Sequence, residues 1–415
     1  MPAKASVLRS LAITALLCVL AEIAAFAGLV IFDIARGEEP RRAIARRVQM
    51  HPLVPKSVIT LGAFDPVVGQ RLEPNSKTGN VRVNRHGFVA NGPDDASLDR
   101  FPLKAENEIR IVMLGSSNLA GSALRSGESH TIAAYLERSL NAGPKSARRY
   151  TVLNFGVNGG YSFSELRTFF AQVIYLEPDI VVALDGWSDA MEGAFHAERS
   201  GLRHGLVNWS ELGYRHNELF NRIAVPRDGA PYVFTYVYLA LRELGILRRE
   251  ATVQREERYE SMPWYRISGD LIAGRKGLEF VLPHNVEAIA AYSNASDFCF
   301  IGYLQPYADF ARMVNKEEQA ELDAYHTAMV NSGLAHYARA TFSPAMRKYF
   351  SSYRDAYRRL SVKYAGSKCA RFFDITGLFE KTPERTYLDP SHYNERGNEL
   401  IAGRMADDIR RVALR

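Results

Sequence analysis

Five near-continuous apolar runs recur along the chain: Ile109–Leu114, Tyr150–Phe155, Ile180–Leu184, Phe298–Leu304 and Arg371–Ile375. Short runs without polar alternation predict strands buried on both faces, as in a parallel sheet. Between them the apolar spacing switches to the helical period. Thr131 opens a segment with Ile132, Leu136 and Leu140 on one face. Ser162-Phe163-Ser164-Glu165 has the form of a capping box ahead of Leu166, Phe169, Phe170 and Val173. Ser343-Pro344 predicts a third helix start, and a stripe of Ile401, Met405, Ile409 and Val412 predicts a last helix from about Tyr393. Alternating strands and helices predict an α/β fold of three layers, αβα, around a five-stranded parallel sheet.

Outside this pattern lie three other stretches. Leu11–Phe32 is apolar except for Glu22, long enough to cross a bilayer as an N-terminal transmembrane helix. A cleaved signal peptide is the rival, because Ala25-Phe26-Ala27 fits a small-x-small cleavage site, but the apolar run continues past it to Phe32. Residues 36–108 are rich in Pro, Gly, Asn and charge, and read as turns and short strands. From about 190 to 285 a long interval separates the third and fourth strands. A structureless loop of that size does not suit a compact domain, and Pro231–Glu250 has helical character, so a helical insertion is expected. The expected organisation is an anchor over 1–35, a lead-in over 36–108, and the main domain over 109–415.

The 415 residues carry a net charge of +6, with arginines scattered rather than gathered into an aromatic-interleaved patch. That pattern argues against a nucleic-acid partner. Of the three cysteines, Cys18 lies in the apolar run without a lipoprotein cleavage context. Cys299 and Cys369 begin two strands that are candidates for neighbours; a disulfide and two buried thiols are both open. No Cys or His spacing suggests a metal site, and no cofactor is expected. A Gly-rich stretch from Gly115 to Gly121 lacks the Lys-Ser/Thr of a phosphate loop. His130, His196 and His284 have no partner pattern.

In open parallel sheets ligands bind beyond the carboxyl ends of the strands. Three predicted loops fall there: Gly115-Ser116-Ser117-Asn118, then Asn154 to Ser162, then Asp185-Gly186-Trp187-Ser188-Asp189. Near the C-terminus comes Asp389-Pro390-Ser391-His392. A carboxylate three residues before an imidazole can fix one ring nitrogen and leave the other to take a proton. Serine, then aspartate, then histidine is one recurring chain order for acyl-transfer triads. The plainer account of Ser117, Asp389 and Ser391 is helix capping.

The blocks resemble the SGNH, or GDSL-type, hydrolase superfamily. Gly115-Ser116-Ser117 matches G-D-S, Gly159 the second-block glycine, Gly186-Trp187-Ser188-Asp189 the G-x-N-D block, and Asp389-x-x-His392 the last. The resemblance extends to a bacterial membrane-anchored subgroup through Asp65-Pro66-x-x-Gly69, Asn84-x-x-Gly87-Phe88 and Leu304-Gln305-Pro306. It implies an SGNH/flavodoxin-like fold and a serine esterase or O-acyltransferase. Ser117 would be the nucleophile, His392 the base, Asp389 its orienting acid, and Ser117, Gly159 and Ser188 the oxyanion donors. It also implies a partner bearing ester groups, a small molecule or an envelope polysaccharide.

Ser188 stands where the family has asparagine, and losing one oxyanion donor costs about 2.7–4 kcal/mol of transition-state stabilisation. That departure keeps open a non-catalytic glycan-binding or scaffold protein. A lesser alternative makes Gly186-Trp187-Ser188-Asp189-Ala190 a nucleophile elbow with Ser188 attacking. The resemblance places the domain in the periplasm, on a single-pass inner-membrane anchor. Charge counting opposes this: Lys4 and Arg9 precede the span, whereas Arg36, Arg41, Arg42, Arg46 and Arg47 follow it.

Overall fold

A computed structural model describes residues 2–35, 40, 63–65, 68–92, 101, 103–142, 148–191, 193–194, 277–308, 316–331 and 337–413. The chain divides into two compact units, Met1–Ser57 with Gly213–Tyr265, and Val58–Leu212 with Arg266–Arg415. Pro231–Glu250 and most of the expected insertion lie outside the described residues.

In the first unit, Pro2–Ala35 forms one helix, α1, which contains the whole apolar run. Among the described residues, no helix is long and apolar enough to cross a membrane. A transmembrane span is therefore not supported there, although several side chains between Leu11 and Cys18 fall outside that set.

The second unit is built on five parallel strands: β1 Glu108–Gly115, β2 Arg149–Gly156, β3 Ile180–Asp185, β4 Cys299–Leu304 and β5 Ala370–Asp374. Their order across the sheet is β2-β1-β3-β4-β5, all neighbours parallel. The helices are α2 Ser117–Ala120, α3 Ile132–Asn141, α4 Ser162–Ala171, α5 Trp187–Met191, α6 Val281–Ser293, α7 Lys316–Asn331, α8 Arg339–Lys363 and α9 Glu395–Ala413.

Two cores explain why the strands read as unbroken apolar runs. Along β1, Val112 and Leu114 point to one face while Ile111 and Met113 point to the other, and all four are buried. On the first face they meet Phe169 of α4, Ile289 of α6 and Phe342, Met346 and Phe350 of α8. On the second they meet Ile132 and Leu136 of α3 and Ile401, Met405 and Ile409 of α9. Each such fully buried side chain contributes about 1.5–3 kcal/mol relative to exposure.

The lead-in has two small hairpins, Ala63–Asp65 with Gly69–Arg71 and Lys77–Thr78 with Val81–Arg82. It then covers the edge of β2. The Val89 amide donates to the Asn154 carbonyl at 3.0 Å, and Phe88 stacks on Phe155 at 5.1 Å. A free sheet edge is a template for unwanted pairing, so this cover has a structural use. At the far side of the sheet, Cys299 and Cys369 are joined as a disulfide, with their Cα atoms 4.2 Å apart.

Two local expectations are corrected. Helix α8 begins at Arg339 and carries Pro344 inside it rather than at its first position. Burial of Phe342 against Trp187 (5.6 Å) and Tyr337 (5.0 Å) extends the helix back past Ser343 and offsets the amide that Pro344 lacks. Ser162 and Glu165 do not form a capping box. Ser164 hydrogen-bonds both the amide and the carbonyl of Tyr161, the N-cap residue, at 3.1 and 2.8 Å. Ser162 and Glu165 turn inward instead.

Candidate active site

Strand order reverses beside β1, because the chain leaves β1 for β2 on one side and β3 lies on the other. This is the switch point where ligands bind in open α/β sheets. Ser117 stands there, the single partly exposed residue between Ile111 and Ala120. It starts α2, whose next residues are buried and fix its position: Leu119 and Ala120 are 0% exposed. The Ser116 hydroxyl donates to Asn118 at 3.0 Å rather than capping a helix.

Across from it lies the loop between β5 and α9. His392 Nε2 is 2.8 Å from Ser117 Oγ, across 275 residues of sequence. His392 Nδ1 is 2.6 Å from Asp389 Oδ2. The other carboxylate oxygen, Oδ1, accepts the backbone amides of Ser391 and His392, each at 2.8 Å. The D-x-x-H spacing thus closes a turn in which one carboxylate holds both the backbone and the ring. The two side chains are 20% and 21% exposed, buried enough to be held and open enough to be reached.

Burial disfavours charge on both groups, but the pair's attraction outweighs it. Burial alone would raise the Asp389 carboxyl; the His392 charge and hydrogen bonds from the imidazole and two amides hold it down to about 2. Burial would lower His392; the Asp389 charge and hydrogen bond lift it above its ordinary 6.5 instead. Asp389 thus stays ionised and favours the imidazolium that proton abstraction would create.

Gly159 and Ser188 come from the two neighbouring loops. Gly159 has φ +69°, a left-handed turn that glycine adopts without strain. The loop is pinned to β1: the Val157 amide donates to the Gly115 carbonyl at 3.1 Å, and the Gly160 amide to the Val157 carbonyl at 2.9 Å. A Cβ on Gly160 would lie 2.9 Å from the Val157 carbonyl oxygen and 3.3 Å from the Gly115 carbonyl oxygen, so this tight turn against the end of β1 depends on Gly160 having none. From the lead-in, Thr78 Oγ1 accepts from Asn158 Nδ2 at 2.6 Å. Among the described residues, the amides of Ser117 and Gly159 and the hydroxyl of Ser188 have no hydrogen-bond partner. Ser188 receives no contact from the imidazole, which lies on Ser117.

Several supporting residues were invisible in sequence. Gly160, Asn158 with Thr78, and Ser162 with Asp189 depend on contacts between loops far apart in the chain. Only the adjacent glycines Gly159-Gly160 gave a local signal. The β2–α4 loop also borders a cavity of about 330 Å³ lined by Arg71, Phe88, Phe101, Phe155, Val157 and Gln172. Among the described residues, no group of three or more His, Cys, Asp or Glu is placed to hold a metal ion.

No family model matches the chain, and no curated protein does. Similar solved structures include a catalytic mutant of Axe2, an acetylxylan esterase from Geobacillus stearothermophilus, at 12% identity. It matches over 75% of this chain and 96% of that one, with a TM-score of 0.38. A GDSL-like lipase from Bacteroides thetaiotaomicron is 12% identical over 77% and 96%, with a TM-score of 0.37. LAE5, an α/β hydrolase enzyme from a Lake Arreo metagenome, is 15% identical over 72% and 94%, with a TM-score of 0.36.

Proposed function

We propose that the protein is a serine esterase or O-acyltransferase working through an acyl-enzyme on Ser117. Ser117 Oγ attacks the ester carbonyl as His392 Nε2 takes its proton, while Asp389 fixes the proton on Nδ1. The carbonyl oxygen gains negative charge and accepts from the amides of Ser117 and Gly159 and the hydroxyl of Ser188. Collapse breaks the ester bond, and His392 returns its proton to the departing alkoxide. Water or a sugar hydroxyl, deprotonated by the same imidazole, then releases the acyl group. The observation that carries this reading is the pair of contacts at 2.8 and 2.6 Å linking Ser117, His392 and Asp389.

The test is treatment of the full chain with a fluorophosphonate, followed by mass spectrometry of the adduct. Labelling of Ser117 is expected. Labelling of Ser188 would replace this mechanism with the elbow. No label on either serine would favour the glycan-binding reading, for which the absent oxyanion asparagine at Ser188 is the supporting feature.

The ester is placed on an envelope glycan, with the domain in the periplasm and α1 as a single-pass anchor in the inner membrane. Leu17, Val19, Leu20, Ile23 and Ile31 of α1 are each more than half exposed, which suits a lipid environment better than water. The disulfide between Cys299 and Cys369 suits an oxidising compartment. An alkaline phosphatase fused after Arg415 should be active in cells; activity only from a cytoplasmic reporter at that position would overturn the placement.

A further inference from the structure

Behind the loops that carry Gly159 and Ser188 lies a group of buried carboxyls that the proposed reaction does not use. Glu165 on α4, Asp185 at the end of β3 and Asp189 on α5 are 5%, 3% and 6% exposed. Asp189 faces the first residue of α4. Its Oδ2 accepts the Ser162 amide at 3.1 Å, and its Oδ1 accepts the Ser162 hydroxyl at 2.5 Å. Asn285 of α6 donates to the same hydroxyl at 3.0 Å. Ser162 ends the loop that begins after β2, and Asp189 follows Ser188 directly. This one carboxylate therefore joins the two loops expected to supply oxyanion donors.

The other two carboxyls have a different environment. Both oxygens of Glu165 and Oδ2 of Asp185 meet no N–H or O–H donor among the described residues. Two neighbouring carboxyls without outside donors are satisfied when one is a carboxylic acid and donates to the other. Burial, then the Asp185 charge and hydrogen bond, push Glu165 well above the usual carboxylate range. Burial and the Asp189 charge push Asp185 up to about 8. The α8 face closes the group with Tyr353 and Tyr357, both fully buried and both raised by burial and by these carboxylates. Asp374 of β5 acts on Tyr357 from beyond.

We propose that Asp189 is a positioning residue, the charged member of this cluster, that clamps the two oxyanion loops together. The proposal rests on Ser117 being the nucleophile. A charged acceptor suits the clamp because Ser162 offers two donors to one side chain, and hydrogen bonds to an ionised acceptor are the stronger kind. Ionisation of Asp185 would set a second negative charge beside Asp189 in a buried site, where charges are weakly screened, and the clamp would loosen.

The experiment measures kcat and KM for an activated acetate ester across pH, with Ser117→Ala, Asp189→Asn, Ser162→Ala and Asp185→Asn beside the wild type. Asp189→Asn turns an amide N–H₂ toward one Ser162 donor; kcat should fall about 100-fold with KM within a few-fold, as for a misplacement of ~1 Å. Ser162→Ala removes one of the two bonds and should show a smaller loss in kcat, with no added effect when combined with Asp189→Asn. The wild type should lose kcat as pH rises through about 8, the value for Asp185. Asp185→Asn should abolish that alkaline limb while leaving the acid limb in place.

An alkaline limb unmoved in Asp185→Asn, or wild-type kcat in both Asp189→Asn and Ser162→Ala, would overturn the clamp while an inactive Ser117→Ala keeps the nucleophile. Full activity in Ser117→Ala would remove both. If Asp189→Asn fails to fold, Ser162→Ala and the alkaline limb decide.

Discussion

Asp389 and His392 show how one short contact sets two opposite pH dependences. Asp389 is held down to about 2, so its contribution to stability is present above its ordinary 3.8 and is lost as pH falls through that lower value. His392 is raised above 6.5, so its contribution is present below 6.5 and is lost as pH rises through the raised value. Catalysis follows the other sign for the imidazole, because only its neutral form accepts the Ser117 proton. The acid limb of kcat/KM should therefore lie above 6.5. Asp389→Asn removes the charge that lifts His392 and leaves burial unopposed, so the limb should move to lower pH. At its optimum the variant should lose about 10⁴ in kcat, as the tautomer is no longer fixed. A pH–rate profile of both proteins checks the two effects at once, and an unmoved limb would break the assignment.

The elements differ in how far local pattern decides them. The strands and the faces of α3, α4 and α9 follow from periodicity, because each buries one set of positions whatever its exact neighbours. Helix starts were less legible. At α4 the residues of a capping box are present, but Ser162 and Glu165 find carboxyl partners on β3 and α5, and Ser164 takes over at the helix start. Helix α7 supplies a support that its own sequence hides. Glu318, third in that helix, is 5% exposed and reaches the loop before Asp389. Its Oε1 accepts the amides of Tyr387 at 2.6 Å and Thr386 at 3.1 Å. Glu318→Ala leaves both buried donors unpaired, at about 1–3 kcal/mol each, and should lower the melting temperature and kcat together. Glu318→Gln keeps the acceptor and should recover most of the loss; thermal melts of the two variants make the comparison, and equal melting temperatures would contradict it.

At the scale of the whole molecule, the order β2-β1-β3-β4-β5 makes the site. Residues 117, 159 and 188 follow three adjacent strands, and the last loop reaches them because β5 feeds back into α9 across α3. Residue spacing alone specified the strand-and-helix alternation, the two-sided burial of the sheet, and the local turn in which Asp389 holds His392. All three depend on spacing within a few residues, where backbone geometry fixes which side chains can meet. Ser117 was reached through the resemblance of Gly115-Ser116-Ser117 to a G-D-S block, since the order serine, aspartate, histidine fits Ser116 and Ser188 as well. That the imidazole lies on Ser117 and not on Ser188 follows from packing between distant segments. Tertiary structure likewise joined Cys299 to Cys369, set Glu318 against the loop before Asp389, and gathered Glu165, Asp185 and Asp189 into one buried cluster. Contacts between distant segments depend on strand order and helix packing, and no local pattern encodes which loop a buried carboxylate will face.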